Sequence, residues 1–260
     1  MVTFETKCWE NDWDFILGGH YLDEMIERCN YPFQERVLFI NNVKDLPRVK
    51  RCADKKIKKN IIDAYYIVDD YAQQALEFFN IEKESFKGGY YYSIAELVSI
   101  YLCKTKYLLH FSSDTYLPKN DSTWIEKALY ILSTRDDIAV ANPTWNYCFD
   151  GVKAESFDEV GEFHINSQFS DQCYLMKADI FKQANYNESN PISETRFPKY
   201  GGELFEKRVE AYMHNHNLHR ITSKEISYVH RNFPKVLQER RLLKAKIYFL
   251  PSCFSMPNNK

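Results

Sequence analysis

Apolar and polar positions along the first half of the chain alternate between two kinds of segment. Short apolar runs are typical of buried strands, and the stretches between them have the three-to-four-residue apolar spacing of amphipathic helices. The predicted strands are residues 2–6, 36–41, 64–68 and a run that begins at Tyr107. The predicted helices are residues 12–29, 46–59, 70–79 and 93–103. This β-α-β-α order predicts an α/β fold with a mostly parallel central sheet flanked by helices.

The second half is less regular, and its pattern predicts a smaller mixed region. We predict helices at 122–133, 203–215 and 234–248, and strands at 138–141, 173–176 and 221–229. Residues 144–170 show no clear period, and residues 185–202 are predicted as a long loop. No repeat or low-complexity linker divides the chain, so we predict one domain over residues 1–260. Its parts are 1–117, 118–231 and a C-terminal helix and tail at 232–260.

Composition narrows the classes of function. A net charge of −2 argues against a protein that binds nucleic acid by massed phosphate neutralisation. Aromatic residues make up 16% of the chain, a content that suits stacking on sugars or bases and equally suits half-buried strands.

Cysteine usage and the apolar pattern bear on location. The seven cysteines form no C-x-x-C pair, so we expect reduced thiols in a cytoplasmic protein. We expect no secretory signal, and no apolar run approaches the roughly 20 residues of a membrane span. The basic C-terminal helix indicates at most a peripheral contact with a membrane, or simply a helix packed on the domain.

The segment from Tyr107 to Leu117 carries the strongest chemical signal. An apolar run stops at Ser112-Ser113-Asp114 before apolar residues resume. A strand that ends in a carboxylate places that charge at the edge of the sheet where open α/β folds bind ligands. Carboxylate oxygens are ligands that a divalent metal prefers. Asp114 is therefore a candidate metal ligand, and equally a residue that caps the next turn.

Two further features precede predicted helices in the first half. Asp69 follows the third predicted strand, where its carboxylate could accept a hydrogen bond from a nucleobase or cap the helix. Gly88-Gly89 precedes the helix at 93–103, where glycines permit a diphosphate to approach backbone N–H groups. Most such glycine pairs are only turns.

Three residues of the second half are candidates for acid–base or metal chemistry. Asp171 directly precedes a predicted strand, and Glu203 begins a predicted helix after Tyr200-Gly201-Gly202. The positive end of that helix would stabilise an ionised Glu203, as in a general base or an ordinary first-turn acid. His230 ends the last predicted strand, where it is a metal ligand or a structural residue.

The order of these elements resembles that of GT-A nucleotide-sugar glycosyltransferases, especially the small bacterial and viral relatives of family 2. Ser112-Ser113-Asp114 is similar to their metal-binding Asp-x-Asp motif, and Tyr200-Gly201-Gly202-Glu203 resembles their Gly-Glu-Asp segment. His230 lies near the place of a late metal-binding histidine. The chain departs from the pattern at Ser112 and at Leu204, where the family has aspartates.

The resemblance implies transfer of a sugar from a nucleotide-diphosphate donor to a hydroxyl of a glycan or glycoconjugate. It implies Mn²⁺ or Mg²⁺ at Asp114 and His230, and an inverting displacement with Glu203, or else Asp171, as the base. Trp145 and Asn146 would bind the acceptor, although a buried tryptophan fits equally well there. The expected nucleotide-sugar contacts are Thr3, Glu5, Asp69, Gly88, Gly89, Ser112 and Ser113.

Two other functions fit the same architecture. Loss of the first motif aspartate favours a catalytically inactive carbohydrate- or partner-binding module. A sugar nucleotidyltransferase resembles a chain with a glycine-rich basic loop after the first strand, but residues 7–12 are aromatic and acidic here.

Overall fold

A computed structural model describes residues 1–118, 123–197, 202–230, 232–234 and 237–249. The strands are β1 (Val2–Cys8), β2 (Glu35–Ile40), β3 (Ala64–Ile67), β4 (Tyr107–Phe111), β5 (Thr115–Tyr116), β6 (Ile138–Trp145), β7 (Asp158–Val160), β8 (Phe163–Asn166), β9 (Cys173–Lys177) and β10 (His219–His230). The helices are α1 (Trp13–Gly18), α2 (Tyr21–Glu27), α3 (Leu46–Lys58), α4 (Val68–Phe78), α5 (Ile94–Leu102), α6 (Trp124–Thr134), α7 (Phe149–Glu155), α8 (Ala178–Lys182), α9 (Pro191–Arg196), α10 (Phe205–Asn215) and α11 (Leu237–Phe249).

The strands form one mixed sheet in the order β3-β2-β1-β4-β9-β6-β10-β8-β7, and β5 pairs with β10. Strands β1 to β4 pair in parallel, and β9 lies antiparallel between β4 and β6. Strand β10 is parallel to β6. Strands β1, β2, β3, β4, β6 and β10 therefore all end at the same edge of the sheet. The predicted α/β class with a mostly parallel sheet is confirmed.

Helices cover both faces of the sheet, and two apolar clusters lie between the layers. Every residue of β4 is buried, and the adjacent residues Leu108 and Leu109 of this strand belong to different apolar clusters. Side chains of a strand alternate between faces, so a strand covered on both sides has a continuous apolar run. This burial explains why β4 was recognisable in the sequence.

Most first-half elements lie within about two residues of their predicted positions, with two differences. The helix predicted at 12–29 is two helices, because Gly19 and His20 separate α1 from α2. Asp69 and Asp70 lie in the first turn of α4 and do not end β3.

Strand β6 is longer than predicted and runs through Pro143. Proline lacks the N–H that a ladder needs, so a proline inside a sheet is tolerated at a bulge. The register of β10 against β6 shifts between Thr222 and Ser227, opposite Pro143. This irregularity in β10 accommodates the proline and lets β6 continue to Trp145.

Two segments predicted to be irregular contain regular structure. Residues 144–170 include α7 and the β7–β8 hairpin, whose turn has Gly161 at a φ of +55°. Helix α9 interrupts the loop predicted at 185–202. The start of the helix predicted at 122–133, the residues Tyr200 and Gly201, and the tail after Phe249 lie outside the described residues. No helix in the described ranges is long and apolar enough to cross a membrane.

Candidate active site

A cleft of about 320 Å³ lies at the sheet edge where β1, β2 and β4 end. It is lined by residues that follow these strands and by the turn before α5. Its lining is Lys7, Trp9, Asn41, Asn42, Gly88, Tyr91, Tyr92, Ser112, Ser113 and Asp114. This is the edge at which open α/β sheets bind ligands. A larger groove of about 610 Å³ beside the end of α4 contains none of the candidate residues.

The two predicted metal ligands come together at the cleft. Strand β5 pairs with the end of β10, which places His230 opposite Thr115 and next to Asp114. His230 Nε2 lies 3.3 Å from Asp114 Oδ2. The hydrogen bond to the Asp114 carboxylate and the negative charge of that group raise the pKa of His230. The cleft is therefore bordered by a carboxylate and an imidazole that lie within hydrogen-bond distance of each other.

This pair fits a divalent metal as part of its ligand set. The described residues contain no group of three or more His, Cys, Asp or Glu side chains arranged around a common metal position. Asp114 and His230 would thus supply two ligands, and the remaining ligands would be water and substrate oxygens. Mg²⁺ in particular keeps several waters and is bound by few protein carboxylates together with phosphates.

The turn that carries Asp114 is held from below by Asp12. The carboxylate of Asp12 accepts hydrogen bonds from Ser113 Oγ at 2.5 Å and from the Trp9 N–H at 2.7 Å. Asp12 is only 2% exposed, and burial raises its pKa to about 7 against these hydrogen bonds. Asp12 thereby links the loop after β1 to the loop after β4.

Thr3 and Glu5, expected to contact the nucleotide, lie behind the cleft. Thr3 Oγ1 is 2.9 Å from Thr105 Oγ1, and Glu5 Oε1 is 2.5 Å from His110 Nδ1. Both side chains are buried inside the fold. Residues 3, 5 and 7 share one face of β1, and Lys7, the last of them, reaches the cleft at the carboxyl end.

A buried polar chain connects Glu5 to the floor of the cleft. His110 Nε2 lies 3.4 Å from Ser112 Oγ, which in turn lies 3.4 Å from the Asp171 carbonyl oxygen. The ring of His110 stacks on Tyr174 at 4.7 Å. Ser112 therefore contacts protein groups on two sides and lines the cleft beside Asp114.

The other nucleotide candidates divide between the cleft and its surroundings. Gly88 lines the cleft at a φ of +99°, which a residue with a side chain rarely adopts. The N–H of Gly89 donates to the carbonyl of Phe86, so it is engaged within its own turn. Asp69 is exposed in α4 and outside the cleft lining.

The two candidate bases occupy different environments. Asp171 is half-buried at the start of the β9 segment, and its charge raises the pKa of both Lys7 and His230. The neighbouring Gln172 carbonyl accepts the Ser112 N–H at 2.8 Å. Asp171 therefore lies on the cleft side of the molecule.

Glu203 lies two residues before α10 and lines a separate cavity. Its carboxylate is 3.2 Å from Lys87 Nζ and 2.9 Å from Lys207 Nζ. Burial alone would raise the pKa of Glu203, but the hydrogen bonds from Lys207 and Lys87 outweigh it and lower the pKa. The structure does not bring Glu203 into the cleft with Asp114.

Trp145 and Asn146 flank His230 at the end of β6. Trp145 is 47% exposed and hence available for stacking. Asn146 Oδ1 accepts the His230 N–H at 2.9 Å, and its amide donates to the His230 carbonyl at 3.4 Å. Asn146 and Tyr147 both have a positive φ, of 43° and 60°. The side chain of Asn146 thus holds the backbone of His230.

Sequence reasoning missed several residues that the fold brings to this site. Lys7, Trp9, Asn41 and Tyr91 line the cleft because they sit at or just beyond strand ends or follow the glycine pair. Asn41 is 4% exposed, and its Oδ1 atom is buried without a hydrogen-bond partner among the described residues. A polar residue directly after a predicted strand was the available signal.

Glu206, in the first turn of α10, is a further missed carboxyl group. Burial raises its pKa, and the charge of Asp171 raises it further. Its carboxylate accepts a hydrogen bond from the Asp171 backbone.

Comparisons with known proteins place this geometry in a fold. No protein-family model and no curated protein matches the chain. A mannosyltransferase from Pyrobaculum calidifontis, solved with GDP-Man and Mn²⁺, matches with a TM-score of 0.53 at 14% identity. The match covers 94% of this chain and 60% of that one. Glucosyl-3-phosphoglycerate synthase from Mycobacterium tuberculosis matches at 12% identity with a TM-score of 0.49, over 100% of this chain and 81% of that one.

The similarity to the mannosyltransferase and the order of the strands in the sheet together identify the fold class of the chain. The chain has the GT-A fold of nucleotide-sugar glycosyltransferases, and the predicted resemblance is confirmed at the level of the fold. The chain spans about 60% of the length of that mannosyltransferase.

Proposed function

We propose that the protein is a glycosyltransferase that moves a sugar from a nucleotide-diphosphate donor to a hydroxyl of a glycan or glycoconjugate. The observation that supports this function best is the Asp114–His230 pair, which lies beside a cleft at the carboxyl edge of the sheet. The mannosyltransferase of the same fold was solved with GDP-Man and Mn²⁺.

In this proposal the cleft binds the donor in two parts. Trp9, Tyr91 and Tyr92 are each at least 40% exposed and offer flat apolar faces on which a nucleobase stacks. The Oδ1 atom of Asn41, which has no hydrogen-bond partner among the described residues, accepts a hydrogen bond from the edge of that base. The diphosphate then lies between Gly88 and the Ser112–Asp114 turn.

Asp114 and His230 would hold Mn²⁺ or Mg²⁺, which when bound stabilises the negative charge that develops on the leaving diphosphate. Asn146 fixes the backbone of His230, and the contact with Asp114 orients the imidazole before the donor binds. Trp145 offers its exposed face to the acceptor sugar.

The acceptor hydroxyl must lose a proton to a carboxylate in hydrogen-bond reach. We propose Asp171 for this role ahead of Glu203, because Asp171 is electrostatically linked to Lys7 and His230, whereas Glu203 is engaged by two lysines. A single displacement with one carboxylate base inverts the anomeric centre.

The six cysteines of the described ranges are free thiols, which agrees with the proposed cytoplasmic location.

A non-catalytic binding module is the second candidate, and Ser112 favours it. Serine supplies no charge where the motif has an aspartate, and no group of three or more metal-ligating side chains occurs among the described residues. Such a module would bind a sugar or its nucleotide without breaking the glycosidic bond.

A panel of nucleotide sugars separates the two candidates. The purified chain is incubated with each donor with Mn²⁺ and with EDTA, and release of nucleoside diphosphate is measured. Mn²⁺-dependent release by wild-type protein that Asp114→Asn lacks supports the transferase. Thermal stabilisation by a donor without release, at any donor concentration, supports the binding module.

A further inference from the structure

Lys7 is a charged residue of the cleft that the metal-based mechanism leaves without a role. It is the penultimate residue of β1, and its side chain lines the cleft. Its ammonium group pairs with the carboxylate of Glu96 in α5. The Lys7 side chain is 20% exposed, whereas the Glu96 side chain is fully buried. The cation therefore faces the cleft, and the anion lies behind it.

This pair is a costly way to fill the floor of a cleft. Removing two charges from water is expensive, and apolar residues of similar volume often stabilise a fold at least as well. The second oxygen of Glu96, Oε2, is buried without a hydrogen-bond partner among the described residues. Polar groups left incompletely satisfied in this way are concentrated where a function requires them.

The surroundings of Lys7 keep its amine protonated. Burial alone would lower its pKa, but the charges of Glu96, Asp171 and Glu5 outweigh burial and raise the pKa. An ammonium group has three N–H donors, and the contact with Glu96 uses one of them. A ligand in the cleft thus meets a fixed positive charge with donors to spare.

The charge balance of the cleft lining indicates what this cation binds. Lys7 and Asp114 are the ionisable side chains of opposite sign in the lining, and Ser112 lies there as well. An anionic ligand is repelled by Asp114 unless a cation intervenes, whereas Lys7 attracts it directly. Lysine is a common phosphate ligand because its ammonium acts as a compact point charge.

We propose that Lys7 is an anchor for the diphosphate group of the donor and that it acts without a divalent cation. The choice of a diphosphate as the ligand rests on the proposed function. Lys7 then contacts the diphosphate directly, whereas the Asp114–His230 pair acts on the same diphosphate only through a bound cation. Because position 112 is a serine, the site lacks one metal-binding carboxylate of the motif. The ammonium group of Lys7 supplies positive charge to the diphosphate instead.

The anchor is tested with inorganic pyrophosphate in EDTA, by titration calorimetry on the whole chain. Wild-type protein is expected to bind. The double variant Lys7→Met/Glu96→Gln removes both charges and leaves no buried carboxylate without its partner. Its affinity is expected to fall by about 10- to 100-fold, the effect of losing a charge-assisted hydrogen bond. Lys104→Met, an exposed lysine at the opposite edge of the sheet, is the control and should bind like wild type.

Each result has one consequence. Absence of wild-type binding in EDTA overturns the anchor, and this outcome does not depend on whether any variant folds. Binding by the double variant within about twofold of wild type overturns it as well. If either result accompanies Mn²⁺-dependent sugar transfer, the proposed function stands without the anchor. If pyrophosphate binding depends on Lys7 but no donor is turned over, the anchor stands and the transferase proposal fails.

Discussion

Two carboxylates of this protein, Asp114 and Glu203, each contact basic side chains, yet their surroundings differ. Asp114 follows a buried strand at the carboxyl edge of the sheet and meets one imidazole, His230, beside the cleft. Glu203 precedes a helix away from that cleft and meets the ammonium groups of Lys87 and Lys207. The Glu203 N–H also donates to the Phe86 carbonyl, in the turn that carries Gly88.

The basic partner of each carboxylate separates a reactive carboxylate from a structural one. An imidazole can give up its proton and become a ligand near neutral pH, so the Asp114–His230 pair can open to a metal. Two lysines stay charged, and they lower the pKa of Glu203 and hence its strength as a base. Glu203 and its lysines therefore fix the start of α10 against the glycine turn.

The largest effect is expected from Asp114→Ala. Loss of the carboxylate removes a metal ligand from the leaving group, so sugar transfer should fall by roughly 100- to 1,000-fold. The side chains of Asp114 and His230 are 17% and 20% exposed, so loss of their ion pair should cost about 1 kcal/mol and change thermal unfolding only slightly. Steady-state rates and a melting curve measure both. Near-wild-type turnover would contradict the metal assignment. Asp179→Ala, an exposed acid at the opposite edge, should leave transfer unchanged.

The next largest effect distinguishes Asp171 from Glu203. Asp171→Asn should keep donor binding and lose at least ~100-fold in turnover at saturating donor, because the proton acceptor is gone. Glu203→Gln should keep turnover within roughly threefold, since Glu203 lies outside the cleft and the amide oxygen still accepts a hydrogen bond from one of the two lysines. The reverse pattern would assign the base to Glu203. Full activity in both variants would exclude both residues, and Glu206 would be examined next.

A smaller effect is expected when the support of His230 is removed. Asn146→Gly deletes both hydrogen bonds to the His230 backbone but keeps a residue that tolerates the left-handed conformation. The Mn²⁺ concentration for half-maximal activity should rise by about 3- to 10-fold with kcat unchanged. Asn30→Gly, at a φ of 47° and exposed, is the matched control. An equal effect in both variants would show that Asn146 acts only through the backbone.

The smallest effect on catalysis is expected at Asp12, and its readout is stability. Its folded pKa is about 7, whereas an unfolded aspartate titrates near pH ~3.9. Between these values the folded state binds more protons than the unfolded state, so this group's contribution to stability falls as pH rises from about 4 to 7. Asp12→Asn removes that dependence. As the pH rises from about 4 to 7, the melting temperature of the variant relative to that of wild type should therefore increase by roughly 2–8 °C. Parallel curves for the two proteins would contradict the pKa.

The site could be predicted from the sequence only in part. Asp114 and His230 were paired from a family resemblance, and the β5–β10 pairing brings them within 3.3 Å. Thr3 and Glu5 were chosen on the correct face of β1 but too deep in the sheet, since only Lys7 is near enough to the carboxyl end. The cleft aromatics were missed because an isolated Trp or Tyr after a strand carries no periodic signal.

Local signals along the chain are sufficient to specify the layered architecture. Apolar runs covered on both faces, such as β4, and helices capped by local signals, such as Asp45 before α3, require only neighbouring residues to specify them. The parallel half follows from the order of these elements, because a strand, helix and strand in succession pair in one hand.

Which polar residues meet depends on contacts between distant parts of the chain. Three features depend on partners more than 25 residues away in the chain. They are the antiparallel insertion of β9, the passage of β6 through Pro143 and the contact of Asn146 with His230, which are 84 positions apart. Such contacts leave no mark on local periodicity. The chemistry of each carboxyl group depends in turn on its neighbours, since Asp114, Glu203 and Asp12 have the same functional group in three different surroundings.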